Sequence, residues 1–101
     1  MIGELIRSNR SLTRLDVSWN SDLSAGATSL ASAIAACKGL RDVDLSETSV
    51  GDAAVNELCR AIDDNRALTR LNLRCCGMSM EARESLERAA ARRAAPLQLI
   101  L

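Results

Sequence analysis

A chain of 101 residues makes at most one ordinary domain, and its 13 basic and 13 acidic side chains cancel. That balance gives no electrostatic footprint for a polyanion or an anionic membrane surface, so neither nucleic acid nor membrane is expected as a partner. Trp19 is the one aromatic residue and histidine is missing, so the core must be filled by Leu, Ile, Val and Ala, which suits thin, regular layers.

Taken in chain order, the apolar residues return on a fixed schedule. Ile2 and Ile6 stand one 28-residue step before Leu30 and Ile34, which predicts that the chain opens inside a helix, a half unit at 1–11 without its own strand. Leu12, Leu15 and Val17 follow, with Leu15 and Val17 alternating against Arg14, Asp16 and Ser18. Period-two alternation of that kind predicts a strand with one buried face. Ala27, Leu30 and Ile34 then lie at helical spacing. The pattern restarts at Leu40, Val43 and Leu45, with a helical stripe at Val55, Leu58 and Ile62. It restarts again at Leu68, Leu71 and Leu73, followed by Ala82, Leu86 and Ala90. Pro96, Leu99 and Leu101 close a truncated copy. A single segment spanning 1–101 is expected, with repeats 12–39, 40–67 and 68–95 and a terminal strand at 96–101.

A period of this size marks a solenoid, in which each unit buries its apolar side only against its neighbours. Each strand is separated from the next by a helical crossover, so the strands are expected to run parallel. Ser24, Asp52 and Ser79 stand where helix N-caps are expected. Asn56, Glu57, Arg60, Arg83, Glu84, Glu87 and Arg88 are expected on an outward, solvated face, with Glu84 and Arg88 in the favourable order for an ion pair. Asn20, Thr48 and Cys76 share one phase just beyond the strands, where the turning backbone needs side-chain partners.

Cys37, Cys59, Cys75 and Cys76 form no C-x-x-C pair and have no histidine to join them. A zinc site is therefore not expected, nor any other cofactor. The cysteines read as reduced thiols, with Cys75 and Cys76 on opposite faces. The N-terminus has no signal-peptide pattern, and no apolar run approaches the ~20 residues that cross a bilayer. A cytoplasmic setting is expected. Without His or Tyr, and without a Gly-rich phosphate loop, the common catalytic constellations are missing, so the chain is not expected to be an enzyme.

Leu12-x-x-Leu15-x-Val17-x-x-Asn20 and Leu68-x-x-Leu71-x-Leu73-x-x-Cys76 resemble the leucine-rich repeat consensus. The 28-residue length, and the run Thr48-x-Val50-Gly51-Asp52-Ala53-Ala54-x-x-x-Leu58, are similar to the ribonuclease-inhibitor-like subclass. In the third unit Ser79-Met80 replaces the Gly-Asp turn. The resemblance implies an α/β fold, a right-handed solenoid of about three and a half repeats. A short parallel sheet would line its concave side and helices its convex side. Proteins of that subclass include a nuclease inhibitor, Ran GTPase activators, NOD-like receptors, actin-filament caps and axonemal scaffold subunits. The implied function is a non-catalytic protein-interaction module, a scaffold or recognition element of a multiprotein complex of cytoskeletal or ciliary type. A small-GTPase regulator and the ligand-sensing arm of a NOD-like receptor are the alternatives.

The concave face would present three rows: Arg14, Asp42, Arg70 and Gln98; Asp16, Asp44, Asn72 and Ile100; Ser18, Ser46 and Arg74. Asp42 is expected between two arginines, whereas Asp16 and Asp44 would repel each other unless a partner's cation relieved them. Trp19, on the rim, reads as a contact hot spot. These residues and the exposed strand edges are the expected contacts with a protein partner. The chain itself is expected to be a fragment of a longer protein or a subunit of a larger assembly.

Overall fold

The computed structural model describes residues 12–19, 26–48 and 50–101. The half unit at 1–11, Asn20 and Ser24 lie outside the described residues. Within them, four three-residue strands form one parallel sheet in chain order: β1 (Arg14–Asp16), β2 (Asp42–Asp44), β3 (Arg70–Asn72) and β4 (Gln98–Ile100). Helices α1 (Ala27–Ala36), α2 (Val55–Asp64) and α3 (Met80–Ala91) connect them, and a 3₁₀ turn at Asp52–Ala54 leads into α2. The register is the repeat itself: Leu15 pairs with Val43, Val43 with Leu71, and Leu71 with Leu99.

The hydrogen-bonded ribbon is longer than the strands. Arg41 N–H donates to Thr13 O at 2.7 Å before the strand, and Val17 and Trp19 N–H donate to Asp44 O and Ser46 O at 3.0 Å after it. Leu45 and Glu47 repeat this on Asn72 O and Arg74 O at 2.8 and 2.9 Å.

The core fills the space between sheet and helices chiefly with aliphatic side chains, with no aromatic ring among them. Val43, Leu71, Leu40, Leu68, Leu58, Ile62, Ile34 and Leu86 are wholly buried. The first two helical stripes lie inward as expected, with Val55 half-buried. In α3 Ala82 and Leu86 are buried and Ala90 only half so, while Ala89 is buried like its equivalents Ala61 and Ala33.

One capping expectation needs correction. Ser79 does cap α3, its Oγ accepting from Ala82 N–H at 3.2 Å. Asp52 instead opens the 3₁₀ turn behind Gly51, whose φ of 66° suits glycine, and reaches forward one unit. Its Oδ1 accepts from Ser79 N–H at 2.9 Å. The outward charges are exposed save Glu57, which is half-buried and pairs with Arg60 at 3.3 Å. Arg88 reaches Ser85 Oγ at 3.5 Å rather than Glu84.

Bonds from Ser79, side chain and then backbone, hold the Asp52 carboxyl below its ordinary value. A carboxylate lowered in the fold contributes stability above its unfolded value of about 3.9, and that contribution disappears as pH falls through the lowered value. Asp52→Ala is therefore expected to lower Tm at pH 7, with the difference from wild type narrowing toward pH 2. A pH series of thermal melts checks it.

Candidate functional site

Parallel pairing in register makes the expected rows real rows. Arg14, Asp42, Arg70 and Gln98 are consecutive Cα partners, as are Asp16, Asp44, Asn72 and Ile100. In the first row Asp42 takes Arg70 Nη1 at 3.1 Å and Arg14 Nε at 3.8 Å. Asp42 and Arg70 are about two-thirds covered while Arg14 is largely exposed, so the tight half of this triplet lies toward the third unit.

The second row departs from the repulsive pair expected. Asp16 Oδ1 accepts from Ser18 N–H at 3.0 Å and Ser18 Oγ at 2.6 Å. Asp44 does the same with Ser46, at 3.0 and 2.6 Å. These Asx turns aim one oxygen of each carboxylate down its own strand end. The bonds from the Ser18 side chain and then its amide keep the Asp16 carboxyl below its ordinary value. Asn72 keeps the motif, accepting Arg74 N–H at 3.0 Å. Arg74 has no hydroxyl to return, and its side chain is exposed. Ser18 and Ser46 are half-buried and support these turns.

Beyond the third row the chain makes a left-handed turn in every unit. Trp19, Glu47 and Cys75 have φ of 65°, 58° and 59°, values that non-glycine residues adopt at a cost of about 1 kcal/mol or more. The cross-strand bonds of Trp19 and Glu47 amides hold two of them there. Trp19, 77% exposed, thus projects from a backbone fixed by β2. Beneath this rim, Thr48 Oγ1 and Cys76 Sγ both donate to Leu45 O, at 2.6 and 2.9 Å. The turn phase satisfies its carbonyl as the sequence suggests. Cys75 is exposed and Cys76 buried, and burial pushes the Cys76 thiol up, which keeps it protonated and unreactive.

One set of residues escaped the sequence reading. Cys37, Asn65 and Arg93 share a phase at the carboxyl ends of the helices. Asn65, wholly buried, donates from Nδ2 to Ile34 O at 2.6 Å and Cys37 O at 3.0 Å. Arg93 repeats this one unit on, donating from Nη1 to Ile62 O at 2.6 Å and Asn65 O at 3.1 Å. Its Nη2 adds Leu68 O at 2.6 Å, and its Nε takes Ala95 O at 3.1 Å. Beside it a depression of about 610 Å³ is floored by Ile62, Ala94 and Ala95 and crossed by the Arg92–Asp63 pair at 3.1 Å. These groups serve the helix ends and lie apart from the rows.

The described residues contain no cluster of His, Cys, Asp or Glu able to hold a metal ion. None of their helices is long and apolar enough to cross a membrane. What the geometry offers is a contact surface: exposed Arg14, Asp16, Arg74 and Trp19 around half-buried Asp42, Asp44, Ser46, Arg70 and Asn72.

A parallel sheet with one helix behind each step, repeated in register, is an α/β leucine-rich repeat solenoid. The leucine rich repeat family model matches residues 8–31 and 64–86, two stretches that begin two repeat lengths apart, and supports a leucine-rich repeat protein. No curated protein and no solved structure matches the chain.

Proposed function

We propose that this chain is a non-catalytic protein-binding module, a scaffold or recognition element that presents its concave face and the Trp19 rim to another protein. Leucine-rich repeat domains generally bind protein partners. The observation that carries the reading here is the in-register array from Arg14 to Asn72, bordered by an exposed tryptophan on a backbone held by its neighbour strand. Such an array costs little to order on binding, because Asp42 and Arg70 are already held by a cross-strand pair and Asp16, Asp44 and Asn72 by bonds within their own strand ends. The repeat length and the full helices of 10, 10 and 12 residues favour the ribonuclease-inhibitor-like subclass. The setting we propose is a cytoplasmic complex of cytoskeletal or ciliary type. Four free cysteines, two of them buried, suit a reducing compartment, and the range of the resembled proteins suggests the rest.

The test uses the chain as bait in cells that express it. Trp19→Ala with Arg74→Ala is expected to weaken the retained partner's binding by ~30-fold or more, as loss of a hot spot does. Arg60→Ala with Glu84→Ala, on the helical side, is expected to leave it unchanged. The reverse pattern would move the contact surface to the helices.

A further inference from the structure

The strands run toward the Trp19 rim, and the helices end at the opposite edge of the sheet, where the charge is uneven. Lys38 and Arg66 share a phase just past the ends of α1 and α2, and Arg92 and Arg93 follow α3. The depression beside Arg93 opens on this edge between the second and third units. Ile62, Asp63 and Arg66 come from one unit and residues 92–95 from the other. Both walls belong to stacked neighbours, so its shape is set by packing inside the array.

The three arginines in its lining are committed to different degrees. Arg93 is half-buried and gives its N–H groups to the carbonyls of Ile62, Asn65, Arg66, Leu68 and Ala95. Its charge is thus fixed in the wall, and no carboxylate pairs with it among the described residues. Arg92 uses Nη2 alone, on the two oxygens of Asp63 at 3.3 and 3.1 Å, which leaves Nε and Nη1 to spare. The exposed Arg66 side chain has no hydrogen bond or ion pair among the described residues. The carbonyl end of α2 would itself repel an anion, but Arg93 already occupies Ile62 O and Asn65 O there.

We infer that this depression binds an acidic peptide segment of a protein partner, with one Glu or Asp carboxylate lying across Arg66 and the free side of Arg92. A carboxylate matches the planar fork of a guanidinium with two parallel bonds. Ile62, Ala94 and Ala95 offer apolar surface to its methylenes or to a small neighbouring side chain. A volume of about 610 Å³ takes a short piece of peptide rather than an isolated ion. Asp63 in the lining decides against a phosphate, whose second charge it would repel. A chain of zero net charge also exerts no long-range pull on a polyanion. This surface is separate from the concave rows and does not depend on them.

Fluorescence anisotropy of the full chain with a labelled, end-capped peptide of alternating Glu and Ala tests the inference. Binding is expected at about 100 μM or tighter in low salt, weakening as added salt screens the exposed charges. The same peptide with Gln for Glu, and single-stranded DNA, are expected to stay unbound. Arg66→Ala should weaken binding about 10-fold or more, the loss of a charged hydrogen bond. Asp63→Asn removes the competing carboxylate and releases Arg92, so it should tighten binding about 3-fold or more. Both side chains are exposed, and circular dichroism should report the wild-type fold in each variant. Trp19→Ala with Arg74→Ala should leave this affinity unchanged, which separates the two surfaces. No binding at about 1 mM peptide overturns the proposal. So does an affinity indifferent to Arg66→Ala or to Asp63→Asn, or DNA binding as tight as the peptide's.

Discussion

Leu71→Ala is expected to remove about 3 kcal/mol of stability, the largest loss from any single truncation in the sheet. Leu71 is wholly buried and sits between Val43 and Leu99 in the register, so the void opens at a junction of two layers and neither can collapse into it alone. Buried Leu→Ala changes cost about 2–5 kcal/mol, of which part is the unfilled cavity. A chain this size has about 5–15 kcal/mol in total, so the variant should melt roughly 10–20 °C below wild type. Leu99→Ala, the same change one layer on, is expected to cost about a third as much, because Leu99 is only partly buried. Urea titrations followed at 222 nm measure both. Equal losses at the two sites would mean that layers do not stack as the register implies.

Arg93→Ala is the second large effect, at about 2–3 kcal/mol. The last carbonyls of a helix have no partners within it, and those of α2 are met by a guanidinium from the following unit, at 2.6 Å on Ile62 O. Truncation strips Ile62 O, Asn65 O and Leu68 O of this charged donor at once, and hydrogen bonds to charged groups carry more than neutral ones. Arg93→Lys should recover less than half, since an ammonium cannot span three carbonyls with a planar fork. Arg93→Asn, the side chain that does this work one unit earlier, should fall between. Thermal melts of the three variants order them; a lysine as good as arginine would reduce the role of Arg93 to its charge.

The fold was legible because hydropathy repeats where geometry repeats. Leu15, Val43, Leu71 and Leu99 announce the register before any coordinate is seen, and the row from Arg14 to Gln98 follows from it. The fate of Asp16 and Asp44 did not. Facing carboxylates on neighbouring strands suggest repulsion, but a serine two residues on, present in both Asp-x-Ser runs, turns each carboxylate along its own chain. A local bond of this kind outweighs a cross-strand charge in water, and the motif was there to read. The phase Cys37, Asn65 and Arg93 was harder. Its three members share no size, charge or hydropathy; they share only a place beside a helix end, and what each does there depends on how far its side chain reaches. Ala89 was missed for a simpler reason: the inward stripe is two residues wide at its carboxyl end, with Ala33, Ala61 and Ala89 buried alongside the positions of Ile34, Ile62 and Ala90.

Those reaching side chains also give the molecule a direction. The side chains of Asn65 and Arg93 each reach back to close the helix of the unit before their own, α1 and α2 in turn, never one that follows. Losing residues from the carboxyl end therefore unlocks what remains, whereas losing them from the amino end leaves every later clasp shut. Such an array should unravel backwards, like a row of links fastened from one side, with its earliest helix the last to learn that the chain has begun to open.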